Sequence, residues 1–169
     1  DTDSAPLGSG SFAAARAGVM AALNRLGRVD SALLVVDPAA AIGTADAPRG
    51  PREIERAIDE ALKGPLHLAR ELMAEFDRAG AGRLVVALRV PPETGADPLA
   101  LLVDGALRAW MKGMFASLSG KSWFLLGAEL RGDDEQALQL VRKLLEGDPA
   151  RLAGRWHRSG GRPGLCGFA

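Results

Sequence analysis

The stretch Val-Asp-Ser-Ala-Leu-Leu-Val-Val-Asp-Pro, residues 29–38, decides the fold class of this 169-residue chain. Its continuous apolar run at 32–36 is short, contains β-branched residues and is followed by a charge and by Pro38. A run of this kind without polar alternation is typical of a strand that is buried on both faces of a parallel sheet. The pattern therefore predicts a doubly covered strand over residues 29–36.

One helix is predicted before this stretch, and strands and helices alternate after it. Strands are predicted at 83–90, at 122–126 and, as a short strand, at 155–157. Apolar residues recur at helical spacing over 12–26, 51–79, 97–118 and 133–145. Strands that alternate with long helices predict a parallel sheet with right-handed crossovers. The fold class is therefore α/β, a truncated Rossmann-like three-layer sandwich with a mostly parallel sheet of about four to five strands.

Turn-forming residues mark the connections between these elements. Residues 1–10 are predicted to be a loop or tail, with Ser9 or Ser11 capping the first helix, and residues 38–50 to be a second loop. Gly64 and Pro65 interrupt the apolar stripe of 51–79, which predicts a kink or a lost hydrogen bond there. No stretch resembles a linker between domains, so residues 1–169 are predicted to form a single domain.

Composition excludes several classes of function. The chain contains 21 Lys and Arg and 21 Asp and Glu, and this balance gives no electrostatic reason to expect nucleic acid or a membrane surface. No apolar run approaches the length of a membrane span, and no signal peptide is recognisable. The single cysteine, Cys166, favours a reducing compartment, so a cytoplasmic location is expected. His67 and His157 have no neighbouring ligand at metal-binding spacing, so no metal is expected.

Five strings occur in the order in which similar strings occur in the second half of a short-chain dehydrogenase/reductase, and together they resemble that family. They are Leu-Gly-Arg-Val-Asp at 26–30, Lys-Gly-Pro-Leu at 63–66, Gly-Ala-Gly-Arg-Leu-Val-Val at 80–86, Gly-Ala-Leu-Arg-Ala at 105–109 and Gly-Arg-Trp-His-Arg-Ser-Gly-Gly at 154–161. The resemblance implies a Rossmann-like fold and a dimer formed through two long helices. It also directs attention to the positions at which the family holds its catalytic residues.

Two departures from the family's pattern argue against reductase chemistry. The family's nucleotide-binding βαβ units, which hold the cofactor pyrophosphate, would precede this sequence, so neither NAD(H) nor NADP(H) nor any other cofactor is expected. The family's catalytic Tyr and Lys positions fall at Ala100 and Asp104, its Ser position near Arg89 and its Asn position near Ala61. The chain contains no tyrosine. Alanine cannot donate a proton, and a carboxylate raises the pKa of a nearby phenol, so no enzymatic activity of this kind is expected.

The sequence therefore predicts a non-catalytic, pseudoenzyme-like domain that acts by association with a partner. Two modules of the superfamily look similar, namely the cofactor-free N-terminal domain of long FabG-type reductases and the structural subdomain of polyketide ketoreductases. One alternative is an oxidoreductase component whose cofactor-binding half comes from another domain or chain. Another is a small-ligand binder, whose crevice at the carboxyl ends of the strands would be lined by Asp37, Arg89 and Asp104.

Two surfaces are predicted to associate. The strand at 32–36 is expected to be an open apolar sheet edge that the N-terminal segment, another protomer or a further domain covers. Helices 51–79 and 97–118 carry more apolar residues than one sheet contact requires, which predicts a homodimer through a four-helix bundle. The predicted interface residues are Leu66, Met73, Leu107, Trp110, Met111, Met114 and Phe115.

Overall fold

A computed structural model of the chain describes residues 10–43, 49–91, 95–118 and 120–160. Strands and helices alternate along it, as the sequence predicts. The elements are α1 (Phe12–Leu26), β1 (Ser31–Val36), α2 (Pro38–Ile42), α3 (Pro51–Ile58), a π-helical turn (Asp59–Lys63), α4 (Gly64–Ala79), β2 (Arg83–Arg89), α5 (Pro98–Ser117), β3 (Phe124–Leu130), α6 (Asp134–Glu146), α7 (Pro149–Leu152) and β4 (Trp156–Arg158). Every strand pair is parallel, and the order in the sheet is β1-β2-β3-β4. The predicted α/β class is confirmed.

Helices cover the sheet on two faces, because successive residues of a strand point to opposite sides. On one face, Leu34, Leu84 and Val86 pack in a core to which α1, α4 and α5 contribute. On the other face, Val85 and Leu126 pack in a smaller core with α6. The result is a three-layer sandwich in which α6 is the main cover of the second face.

The first strand is buried on one face only. Leu34 and Val36 are buried, whereas Leu33 is 40% and Val35 is 55% exposed. The expected burial on both faces is therefore wrong, because the small core under α6 is built on β2 and β3 and leaves β1 uncovered. Within the described residues β1 pairs only with β2, so it is an edge strand, as predicted. What covers that edge stays a prediction.

The predicted loop over residues 38–50 begins with a short helix, α2. Asp37 Oδ1 accepts a hydrogen bond of 2.9 Å from the backbone N–H of Ala40, and Pro38 occupies the first turn. A carboxylate that caps the backbone and is followed by proline is typical of a helix start. The Pro and Gly content of residues 38–50 indicated a loop instead and hid this pattern. Residues 44–48 of the predicted loop lie outside the described residues.

The third strand runs over Phe124–Leu130 and not over 122–126 as predicted. Gly127 weakens the apparent strand pattern, since glycine in a strand interior has no side chain to pack. The absence of a side chain is required at this position, because a Cβ at Gly127 would lie 2.6 Å from the ring of Trp156 on β4. Trp156 therefore packs directly on the β3 backbone, and the strand continues to Leu130.

The predicted interruption at Gly64 and Pro65 is a wide turn rather than a break. Residues Asp59–Lys63 adopt π-helical pairing and pass directly into α4. Pro65 has no N–H to donate, and its ring would crowd a carbonyl in the preceding turn of a regular α-helix, so a wider turn relieves both problems. Residues on both sides of Pro65 are buried in the main core, namely Ala61, Ala69 and Leu72.

Candidate functional site at the carboxyl ends of the strands

The carboxyl ends of the parallel strands place charged side chains at one edge of the sheet. Asp37 follows β1, Arg89 ends β2, Arg131 follows β3 and Arg158 ends β4. Open α/β sheets bind their ligands at this edge. The side chains here fall into two separate clusters.

The first cluster joins Arg89 to two carboxylates. Arg89 Nε lies 3.5 Å from Asp37 Oδ2, and Arg89 Nη2 donates to Asp134 Oδ1 in the first turn of α6. The hydrogen bond to Asp134 is the main cause of the raised pKa of Arg89, and the charge of Asp37 adds to it. Asp37 is also the cap of α2. These residues therefore hold the ends of β1, β2 and α6 together.

Asp104 belongs to a second cluster, away from Asp37 and Arg89. Its Oδ2 accepts a hydrogen bond of 2.7 Å from Arg108 Nε, one turn further along α5. Its other oxygen is buried without a hydrogen-bond partner among the described residues. Of the three predicted crevice residues, the structure thus brings Asp37 and Arg89 together and places Asp104 with other partners.

Glu129 on β3 is the centre of this second cluster. Its side chain is 4% exposed, and Arg108 Nη1 donates to its Oε1. Its Oε2 forms ion pairs with Arg158 Nε at 2.8 Å and with Arg131 Nε at 3.5 Å. Burial alone would lower the pKa of Arg108, but its contacts with Asp104 and Glu129 raise it above the ordinary value. One buried carboxylate thus binds three arginines from α5, β4 and the end of β3.

Sequence reasoning missed Glu129, although a signal was present. A lone acidic residue in an apolar strand that is covered on both faces requires a cationic partner, because an unpaired buried charge is very costly.

Aromatic packing completes the cluster. The Arg108 guanidinium lies 5.4 Å from the Trp156 ring centroid, and Phe115 meets Trp156 edge to face at 6.1 Å.

The residues at which the sequence resemblance places the family's catalytic positions lie in two environments. Ala100 on α5 and Ala61 in the π-helical turn are buried methyl groups in the main core. Asp104 is bound to Arg108, and Arg89 is bound to Asp37 and Asp134.

The predicted interface residues pack, at least in part, against the chain's own core, and whether they also contact a partner stays a prediction. Leu107 and Met111 are 1% and 0% exposed, so they are closed to a partner. The other five are partly buried and pack on the same cluster; they are Leu66, Met73, Trp110, Met114 and Phe115. The homodimer stays a prediction.

The histidines have ordinary structural roles. His67 packs edge to face with Phe12 at 5.8 Å, and the His157 ring nitrogen Nε2 lies 2.8 Å from the Leu152 carbonyl. In the described ranges no group of three or more His, Cys, Asp or Glu side chains has a metal-binding arrangement.

An open hollow of about 320 Å³ lies elsewhere, along α3 and the π-helical turn, and is lined by Ile54, Glu55, Ile58, Asp59 and Lys63. None of the helices that the structure describes has both the length and the apolarity of a membrane span.

Comparison with known proteins identifies the fold. No protein-family model and no curated protein matches the chain. Among solved structures, a short-chain dehydrogenase/reductase from Sinorhizobium meliloti 1021 superposes with a TM-score of 0.71 at 17% identity, covering 93% of this chain and 70% of that one. A metagenomic short-chain oxidoreductase in complex with NADP gives 0.71 at 18% identity, with 96% and 75% covered. A short chain dehydrogenase from Burkholderia cenocepacia J2315, also with NADP, gives 0.67 at 13% identity, with 89% and 71% covered. The chain therefore has the fold of the short-chain dehydrogenase/reductases.

Proposed function

We propose that this chain is a domain of short-chain dehydrogenase fold that acts by association with a protein partner and performs no reductase chemistry itself. The observation that carries the proposal is the state of the catalytic positions. The sequence resemblance places the family's Tyr and Lys positions at Ala100 and Asp104, Ala100 is buried, and the chain contains no tyrosine. General acid catalysis requires an ionisable proton within reach of the substrate, and a methyl group has none.

The charges at the strand ends support the same proposal. Arg89 is shared between Asp37 and Asp134, and Arg108 is shared between Asp104 and Glu129. Each of these two arginines contacts two carboxylates, so a ligand anion would have to compete with both of them. The predicted crevice is thus better suited to holding elements together than to binding a substrate.

The exposed edge of β1 favours a second candidate function. In the common doubly wound order 3-2-1-4-5-6, strand four pairs with strand one, and the sequential order β1-β2-β3 corresponds to its 4-5-6 half. A partner domain or chain that supplies the other half would therefore pair with β1 and cover Leu33 and Val35. This candidate is an oxidoreductase component that is completed by another domain or chain.

Dinucleotide binding distinguishes the two candidates. Isothermal titration of this chain with NADH or NADPH at millimolar concentration is expected to give only the heat of dilution. The same titration in the presence of a pull-down partner is also expected to give none if the chain acts by association alone. Saturable binding near micromolar affinity to the chain by itself would overturn the first candidate, and binding only with the partner would favour the second.

Self-association is the simplest form of the association role, and α5 offers an exposed face for it. The exposed positions on this helix are uncharged apart from Lys112, and the others are Pro98, Leu101, Leu102, Gly105, Ala109, Gly113, Ala116 and Ser117. If two copies pair here, Ala109→Arg is expected to convert a dimer into a folded monomer in sedimentation velocity, because it places a charge in an apolar contact. Ala17→Arg, at an exposed alanine on α1, is the matched control and should leave the dimer intact.

The outcome that contradicts the homodimer is simple. A wild-type chain that sediments as a monomer at tens of micromolar has no dimer of the stability that a bundle interface provides. The association role would then require a different protein as the partner.

A further inference from the structure

Two exposed arginines stand side by side at the ends of β3 and β4. Arg131 and Arg158 bind the same oxygen, Oε2 of Glu129, through their Nε atoms. Their side chains are 46% and 66% exposed, whereas that of Glu129 is 4% exposed. These contacts are ion pairs rather than hydrogen bonds, because Glu129 Oε2 has no hydrogen-bond partner among the described residues. A guanidinium has five N–H donors, and none of those of Arg131 or Arg158 is used in a hydrogen bond to that oxygen. One buried carboxylate therefore attracts two accessible guanidinium groups.

The backbone that carries these arginines is also fixed. The Ser159 hydroxyl lies 2.6 Å from both the Arg131 backbone N–H and the Arg131 carbonyl, accepting from the first and donating to the second. The Ser159 N–H donates to the Glu129 carbonyl at 3.0 Å. The ends of β3 and β4 are thus bonded to each other directly beside the two side chains. The pair is arranged before any ligand arrives, which reduces the entropy lost on binding.

Two glycines allow the turns after these arginines to pack against one side chain. A Cβ at Gly160 would lie 2.7 Å from Gln136 Oε1, and one at Gly132 would lie 3.3 Å from it. Both glycines have positive φ, 69° at Gly160 and 76° at Gly132. The end of the Gln136 side chain on α6 therefore packs against both turns, and the positive φ values favour glycine at the two positions.

The accessible side of the cluster is cationic. Among the residues that the structure describes, the ion pairs of Arg108, Arg131 and Arg158 are all with Asp104 or Glu129, which leaves one positive charge in excess, and both carboxylates are largely buried. The acids at the start of α6 are engaged elsewhere. Asp133 caps that helix at the Gln136 N–H, Asp134 pairs with Arg89, and Glu135 accepts from Gln139.

We propose that Arg131 and Arg158 form a two-armed binding site for the phosphoryl group of a small ligand. Two guanidinium forks that are held together match the several oxygens of a phosphoryl dianion, and such charge-assisted bonds are stronger than neutral ones. The site lies at the sheet edge where open α/β folds bind ligands. It is separate from Asp37 and Arg89, whose charges neutralise each other. This inference goes beyond the proposed association role and does not depend on it.

The test measures the NMR signals of the two arginine side chains during a titration with phosphate. In the full chain, the Nε–Hε NMR signals of Arg131 and Arg158 are expected to shift in a saturable manner, with one shared midpoint, as inorganic phosphate replaces chloride at constant ionic strength. Arg142 and Arg151, which are exposed and each paired with one acid, are the internal controls and should not saturate. Absence of a shift, or a linear shift shared by all exposed arginines, would overturn the proposal. This measurement needs no variant.

Variants of Arg158 separate the contribution of the guanidinium geometry to phosphate binding from that of the positive charge. Arg158→Gln is expected to weaken phosphate binding about tenfold, the loss of one charged hydrogen-bonding arm. Arg158→Lys should recover only part of this loss, because an ammonium keeps the charge without the fork. Arg142→Gln is the matched control, and circular dichroism checks that each variant is folded. Equal affinities for all four proteins would contradict the site.

A second ligand identifies the source of the phosphoryl group. Adenosine monophosphate replaces inorganic phosphate in the same titration of the wild-type chain. Saturation at the same two arginines by either ligand supports the site, and tighter binding of the nucleotide assigns it to a phosphoester rather than to free phosphate. Saturation by neither ligand overturns the proposal.

Discussion

Replacing Glu129 with alanine is expected to lower the free energy of unfolding by about 3 kcal/mol. Removing one partner of a buried ion pair leaves an uncompensated charge and typically costs about 3–5 kcal/mol. The lower end applies here, because Arg131 and Arg158 are exposed and can turn to water, and Arg108 keeps Asp104. Urea denaturation followed by circular dichroism measures the difference.

A matched control and a repair variant make this result specific. Glu146→Ala removes an exposed carboxylate that lies 4.0 Å from Arg142, and it should cost less than about 0.5 kcal/mol. The triple variant Glu129→Leu, Arg108→Met and Asp104→Leu should recover much of the lost stability, because it removes the buried charges together and an apolar cluster needs no compensation for desolvation. A Glu129→Ala protein within 1 kcal/mol of wild type would show that the cluster does not hold the strand ends (the resolution of such measurements is about that size).

Gly82→Ala is expected to destabilise the protein by about 3 kcal/mol or more. A Cβ at this position would lie 2.1 Å from Cδ1 of Phe76, which is fully buried in the main core. Gly82 has a φ of 155°, which is unfavourable for residues with a side chain. The substitution therefore combines overpacking, which typically costs about 1–3 kcal/mol, with backbone strain. Chemical denaturation measures the loss.

Substitution of the nearby Gly80 separates the cost of backbone strain from the cost of the steric overlap at Gly82. Gly80 has a φ of 70° at the end of α4, but a Cβ there would meet nothing within 4 Å. Gly80→Ala should therefore cost only about 1–2 kcal/mol, the usual penalty of a left-handed residue. Adding Phe76→Leu to Gly82→Ala should cost less than the sum of the single changes, since the collision is relieved. Strictly additive losses would disprove the contact.

Much of the architecture follows from the sequence because it depends on local periodicity. The helices at 12–26 and 97–118 and the strand at 83–90 agree with α1, α5 and β2 to within a residue or two. The short helix α2 and the late end of β3 could not be obtained in this way. Both depend on contacts that are distant in sequence or masked by glycine and proline, such as the packing of Trp156 on Gly127.

The candidate site was predictable only in part, because side-chain partners are a property of the assembled sheet. The sequence places Asp37 and Arg89 at the ends of adjacent strands, and the structure pairs them. It cannot place Asp104 with Arg108 and Glu129, since that requires the orientation of α5 over β3. The burial of Leu107 and Met111 within their own chain has a related reason. An apolar stripe shows that a surface is covered, but not whether the cover comes from the same chain.

The π-helical turn at Asp59–Lys63 has a consequence for how this chain is aligned with others. A π-type turn holds one residue more than an α-turn, whereas each added residue in a regular α-helix rotates everything beyond it by about 100°. The additional residue is absorbed locally, so α3 and α4 can present their buried faces to the same core. A chain that is one residue shorter between 59 and 63 could therefore fold in the same way. An alignment without a gap there would shift every residue on one side of the turn by one position.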